Sequence, residues 1–278
     1  MTTHRVKSYN MYHLVALDLD GTLLGPDGLV CDDHRKALQT VQHMGLEVVL
    51  ATARPWADTA PIAQELALTG PAICLTGAAI YMNGSCVQCQ FMEPGALKRI
   101  ATWAEREGWT IRLYHSSGLE IQSHPLRDYV NKVGAWFAEP HQYVSRLSEY
   151  VQTHGDVLQV VLLGPRSVEA ACAHLADLPG VTTTIYDRLT PHARLHFFCA
   201  GVSKGAALSA YCRERNIPRQ SVIAMGDTGA DISMIDWAGV GVAMGWASEC
   251  VRARADLVTS PSDPAPVFTA LKQLLPLA

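Results

Sequence analysis

Apolar positions along the chain follow two rhythms: short unbroken runs, and repeats every three to four residues. Leu14-Val15-Ala16-Leu17 is an unbroken run that stops at Asp18. A run of that length with polar flanks predicts a strand buried on both faces. Asp32 and Asp33 then offer a helix cap and first-turn acids; Ala37, Leu38, Val41 and Met44 recur at helical spacing before Gly45. Leu46 to Ala51 is a second run, ending at Thr52, and Trp56 to Leu68 reads as a helix opened by Pro55. Ile73-Cys74-Leu75 is a third run. Strands and helices alternating at such short intervals predict a parallel sheet with crossover helices.

The rhythm changes near Tyr81. Residues 96–107 read as a helix, and Thr110–Tyr114 with Leu119–Gln122 as a hairpin around Ser116-Ser117-Gly118. Residues 125–136 read as a helix, 157–163 as a strand, 168–178 as a helix and 181–186 as a strand. The first pattern then resumes. Ser203 caps a helix running to Arg215, and Val222–Met225 is a strand ending in Gly226-Asp227. A helix over 231–237, strands over 240–243 and 256–259, and a closing helix over 266–275 follow. The expected architecture is α/β: a doubly wound, Rossmann-like parallel sheet core from residues 1–82 and 191–278, with an inserted α+β cap domain over 83–190.

Composition narrows the partners. The 278 residues are 49% hydrophobic, which excludes a disordered chain. Lys+Arg total 22 against Asp+Glu 26, a net charge of −4, so no nucleic-acid partner is expected. No apolar run approaches the roughly 20 residues of a membrane span, and the N-terminus has no apolar secretory core. The expected location is cytoplasmic, as a monomer or small homo-oligomer. Eight cysteines fit a reducing compartment; Cys86-x-x-Cys89 lacks two further ligands for zinc and reads as loop or hairpin thiols. Trp103, Trp109, Tyr114, Trp136 and Phe137 are expected to pack the insert.

Ligands of open parallel sheets bind beyond the carboxyl ends of the strands. There the chain places Asp18-Leu19-Asp20-Gly21-Thr22, Thr52-Ala53-Arg54, Thr76-Gly77 and Gly226-Asp227, with Asp231 four residues on. An Asp-Gly turn explains Asp20 and Gly21, but not Asp18, an acid closing a buried run. Clustered carboxylates need a cation, and oxygen ligands with room for water suit Mg²⁺. Lys204, in the first turn of a helix, opposes the helix dipole unless an anion lies nearby. Arg54 either binds phosphate or ion-pairs at the surface.

DLDGT at 18–22, Thr52-x-Arg54, Gly201-Val202-Ser203-Lys204-Gly205 and Gly226-Asp227-x-x-x-Asp231 together resemble the haloacid dehalogenase-like phosphatases, and the large insert resembles their Cof-type subfamily. The resemblance implies Mg²⁺-dependent hydrolysis of a small phosphorylated metabolite, such as a sugar phosphate. It implies Asp18 as nucleophile and Asp20 as acid and base. It implies Thr52, Lys204, Gly21 and Arg54 around the phosphate, and Asp18, Asp20, Asp227 and Asp231 around the metal. Thr76, Ala230 and Trp246 stand where the subfamily usually has asparagine, and Ala53 where it commonly has glycine. Two alternatives stay open: a catalytically weak homologue that binds a phosphorylated ligand, and a phosphomutase.

Overall fold

The computed structural model describes residues 11–124, 140–164, 168–175, 177–186 and 194–277. The helix expected over 125–136, with Trp136 and Phe137, lies outside the described residues. The strands are β1 (Leu14–Leu17), β2 (Glu47–Ala51), β3 (Ala72–Cys74), β4 (Ala79–Met82), β5 (Ser85–Cys89), β6 (Thr110–His115) and β7 (Glu120–Gln122). They continue as β8 (Gln142–Tyr143), β9 (Val157–Leu163), β10 (Val181–Tyr186), β11 (Arg194–Cys199), β12 (Val222–Gly226), β13 (Val240–Ala243) and β14 (Leu257–Val258). Among the described residues no helix is long and apolar enough to cross a membrane.

The chain divides into two units: residues 1–85 with 203–278, and residues 86–202. The first unit carries a sheet ordered β14-β13-β12-β1-β2-β3-β4. β1 pairs in parallel with both β12 and β2. All four residues of β1 are buried, as its unbroken apolar run requires. One face packs Leu14, Ala16, Val49 and Ala224 against Leu208 and Tyr211 of the helix Lys204–Glu214 and Met234 of the helix Ile232–Trp237. Fully burying each such Leu, Val or Met contributes about 1.5–3 kcal/mol. β4 returns antiparallel to β3, a reversal absent from the all-parallel expectation.

The second unit has its own sheet, ordered β10-β11-β9-β6-β7-β8, and its own core. Ile111, Leu113, Val160, Leu162, Leu195 and Phe197 point to that core, where Trp109 is buried and Trp103 packs at the edge. Alternation sends Arg112, Tyr114, Gln122, Gln159, His196 and Phe198 to the opposite face, so Tyr114 lies outside the apolar core. Arg112 Nε donates to Gln122 Oε1 at 2.9 Å, and its Nη1 donates to Glu120 at 3.3 Å.

Both expected boundaries move. The first crossing lies at 85/86 and not 82/83; the second lies at 202/203 and not 190/191. The second shift follows from β11, which pairs antiparallel with β9 and β10 and so belongs to the insert's sheet. Smaller differences concern helix ends. Cys31, not Asp32, occupies the N-cap of the helix Asp32–His43, leaving both acids in its first turn. The helix opened at Trp56 stops at Glu65, before Leu68. All eight cysteines are free.

Candidate active site

Asp18 leaves the carboxyl end of β1 with its N–H donating to Met225 O on β12 at 3.0 Å. Its side chain is buried, and its Oδ1 accepts from Lys204 Nζ at 2.5 Å. The same ammonium donates to Asp231 Oδ1 at 2.6 Å. Lys204 opens its helix one residue after Ser203, whose Oγ accepts from Ala206 N at 3.1 Å. The helix start is set against the loop after β3: a Cβ on Gly77, at φ +109°, would come within 2.3 Å of Ser203 O. That loop also holds Thr76 at φ 59°, a left-handed conformation that asparagine tolerates better than a β-branched residue.

Asp231 is fully engaged. Its Oδ1 accepts from Lys204, and its Oδ2 accepts from Asp227 N at 3.1 Å and from Thr228 N and Thr228 Oγ1 at 2.8 Å. It therefore ties the loop after β12 to the lysine. Asp227 receives one hydrogen bond from Thr22 Oγ1 at 3.3 Å. Gly21, at φ +80°, lets the DLDGT loop approach it: a Cβ there would lie 2.3 Å from Asp227 Oδ2.

One carboxylate oxygen from each of Asp18, Asp227 and Asp231 lies within 4.8 Å of the others. Burial, then repulsion from Asp231, pushes Asp18 well above the usual carboxylate range despite Lys204. The same causes push Asp227 up to about 6. Burial disfavours the Lys204 charge, but Asp18 and Asp231 outweigh it and hold the ammonium protonated. Ionising all three carboxylates against one ammonium would leave two uncompensated negative charges, which is why burial and repulsion raise Asp18 and Asp227 here. Hard oxygen donors with that deficit fit a divalent cation such as Mg²⁺.

The remaining expected residues are placed as follows. Thr52 is buried after β2, and its Oγ1 accepts from Arg54 N at 3.1 Å. Arg54 is turned onto Asp20 as a fork: Nε donates to Oδ2 at 2.8 Å and Nη2 to Oδ1 at 2.5 Å. Arg54 is thus ion-paired, and its partner is Asp20 of the DLDGT loop. Trp246 Nε1 donates to Gly21 O at 3.0 Å, which puts the indole beside the DLDGT loop. Sequence reasoning missed Thr228; a Thr three residues before an Asp is a capping-box signal that would have found it.

A family profile of haloacid dehalogenase-like hydrolases matches residues 15–271. The chain belongs to that family. It is 27% identical over 263 residues to the pyridoxal phosphate phosphatase YbhA of Escherichia coli (strain K12), covering 88% of this chain and 92% of that protein. It is also 27% identical over 246 residues to the 5-amino-6-(5-phospho-D-ribitylamino)uracil phosphatase YcsE of Bacillus subtilis (strain 168), covering 88% and 89%. A solved phosphatase of this superfamily from Bacteroides thetaiotaomicron superposes with a TM-score of 0.81 at 26% identity, covering 97% of each chain.

Proposed function

We propose that this haloacid dehalogenase-like hydrolase is a Mg²⁺-dependent phosphomonoester hydrolase acting on a small phosphorylated metabolite. The observation that carries the reading is the buried Lys204 ammonium shared by Asp18 and Asp231, with Asp227 in the same cluster. Such a group supplies a nucleophile, a fixed cation and a metal site at one sheet edge. The named activities of YbhA and YcsE, both on phosphorylated small molecules, support it.

Asp18 attacks phosphorus through a carboxylate oxygen, and the ester P–O bond breaks with its electron pair leaving on the alcohol oxygen. Asp20 gives that oxygen a proton. Asp20 then takes a proton from water, whose oxygen attacks phosphorus, breaks the bond to Asp18 and frees phosphate. The Arg54 fork holds Asp20 as the carboxylate, the form that takes the proton from water; Asp20 gives its proton to the leaving oxygen from the protonated form, released from the fork. Thr52 Oγ, the Gly21 backbone and Lys204 hold the phosphoryl oxygens, and Lys204 offsets the repulsion between carboxylate and phosphate. Asp18, the Asp20 backbone carbonyl and Asp227 would hold Mg²⁺, with Asp231 supporting from its hydrogen-bonded position. When bound, the ion supplies charge neutralisation of the transferring phosphoryl group.

The test is phosphate release from a panel of phosphomonoesters with Mg²⁺ present. Net release is expected. Tight binding of a phosphorylated ligand with no turnover would replace this reading by the binding module, and transfer between sugar positions would replace it by the mutase.

A further inference from the structure

The turn after β13 carries a side chain that the chemistry above does not use. Its backbone is held on several sides. Met244 N donates to Gly226 O at 3.0 Å, and Ala247 N donates to Met244 O at 3.0 Å. Gly245 N donates to Thr259 Oγ1 at 2.9 Å, and Arg252 Nη1 donates to Gly245 O at 3.3 Å. This fixed turn projects Trp246, whose Nε1 donates to the Gly21 carbonyl at 3.0 Å. Gly21 itself abuts Asp227. The indole therefore stands one residue away from the acid cluster.

Trp246 is nonetheless 46% exposed. That exposed indole area forfeits hydrophobic stabilisation which a bound apolar group would recover. Its one hydrogen-bond donor is already taken by Gly21. What it still presents is the ring: an apolar, polarisable face without a free donor or acceptor. A planar unsaturated ring lies flat on such a face over its whole area, whereas a puckered hexose offers it only the C–H groups of one side and gains no hydrogen bond for its hydroxyls.

We propose that Trp246 is a specificity-determining residue that stacks on the leaving group of a planar, unsaturated phosphomonoester, an aryl or heteroaryl phosphate, in preference to a hexose phosphate. The inference rests on the phosphatase reading. It assigns the substrate class from the loop beside the nucleophile. It also separates two roles of one side chain, the N–H that anchors Gly21 and the ring face that meets the substrate.

The experiment measures kcat/KM for phenyl phosphate and for a hexose 6-phosphate on the wild type, W246A and W246F, with saturating Mg²⁺. In W246A the aryl-to-hexose ratio should fall about threefold to tenfold, mainly through KM. W246F keeps a ring and loses the N–H, and should retain most of the ratio. A merely structural role would lower kcat on both substrates alike in both variants, leaving the ratio unchanged, and that result overturns the proposal. Calorimetry gives a second readout without turnover. Phenylphosphonate should bind the wild type more tightly than methylphosphonate, and W246A should lose that advantage. An advantage absent from the wild type, or retained in W246A, also overturns the stacking role. If the wild type hydrolyses no ester, the phosphatase reading fails, and the phosphonate comparison still decides the role of Trp246.

Discussion

Lys204 shows how a residue that violates a local rule points to its partners. At a helix N-terminus a cation is unfavourable by about 0.3–1 kcal/mol. Here it is outweighed by two carboxylates at 2.5 and 2.6 Å. Removing one partner of a buried ion pair costs about 3–5 kcal/mol. Lys204→Met should therefore lower the free energy of unfolding by an amount of that order and abolish phosphate release, as urea titration and a phosphate assay would report. Asp18→Asn should separate the two effects. The amide oxygen still accepts from Lys204, and one negative charge leaves an over-charged cluster. Turnover should vanish while the metal-free protein unfolds at no lower urea concentration; near-normal phosphate release would sink the nucleophile assignment. Asp18 and Lys204 were legible in the sequence because each is locally out of place. The Arg54 fork and the Trp246 anchor were not, since their partners lie 34 and 225 residues away and no local rule names them.

Among the elements, β4, β5, β8 and β11 were not read from the sequence, and β11 shows why. Its Leu195 and Phe197 face the second unit's core, while His196 and Phe198 face the other side. An alternation with an aromatic residue on both faces resembles a single apolar cluster, so it does not announce a strand. The buried imidazole has a measurable consequence. Gln159 Nε2 lies 2.9 Å from His196 Nδ1, and among the described residues His196 Nε2 has no hydrogen-bond partner. Burial, then the nearby Arg194 charge, holds His196 well below its ordinary value of 6.5. The folded chain keeps the ring neutral, while the unfolded chain takes up a proton below that pH. The contribution is complete above the unfolded value and is lost as the pH falls. At one pH unit below it, a single such group costs about 1.4 kcal/mol. Urea unfolding at pH 7.5 and 5.5 should show this loss. His196→Asn, which retains an acceptor for Gln159 and does not titrate, should reduce it by about 1 kcal/mol. His34, also lowered mainly by burial, leaves a residual acid dependence in that variant. An unchanged difference between the two pH values would remove His196 as a cause.

For the whole molecule, the parallel strands β1, β2, β3, β12, β13 and β14 were readable, because unbroken apolar runs bounded by polar residues have few other uses, while the antiparallel β4 was not. The unit boundaries were not, because they depend on which sheet a strand joins. Two expectations belong at this scale. Residues 86–202 contain a core including Ile111, Val160 and Phe197, and expressed alone they should unfold cooperatively in urea. A broad, non-cooperative transition would show that this unit needs the rest of the chain. EDTA should stop phosphate release and Mg²⁺ restore it. Mg²⁺ should also raise the melting temperature without any substrate, since a ligand at a hundred times its dissociation constant adds about 2.7 kcal/mol. Equal activity in the stripped protein would exclude the metal role.

The pairing of β1 between β2 and β12 sets an order of events during synthesis. Leu14 to Leu17 leave the ribosome early, but their neighbours on one side are Val222 to Met225. At about 5–20 residues per second, roughly 10–40 s pass before β12 exists. Throughout that interval a wholly apolar strand has one open edge, and Asp18 waits for the ammonium of Lys204. The intervening unit can close its own sheet in the meantime, since all its strands lie before residue 203. The nascent chain thus carries a finished segment and an unfinished one together. Its vulnerability to aggregation is greatest between those two moments, when an exposed strand edge has no mate.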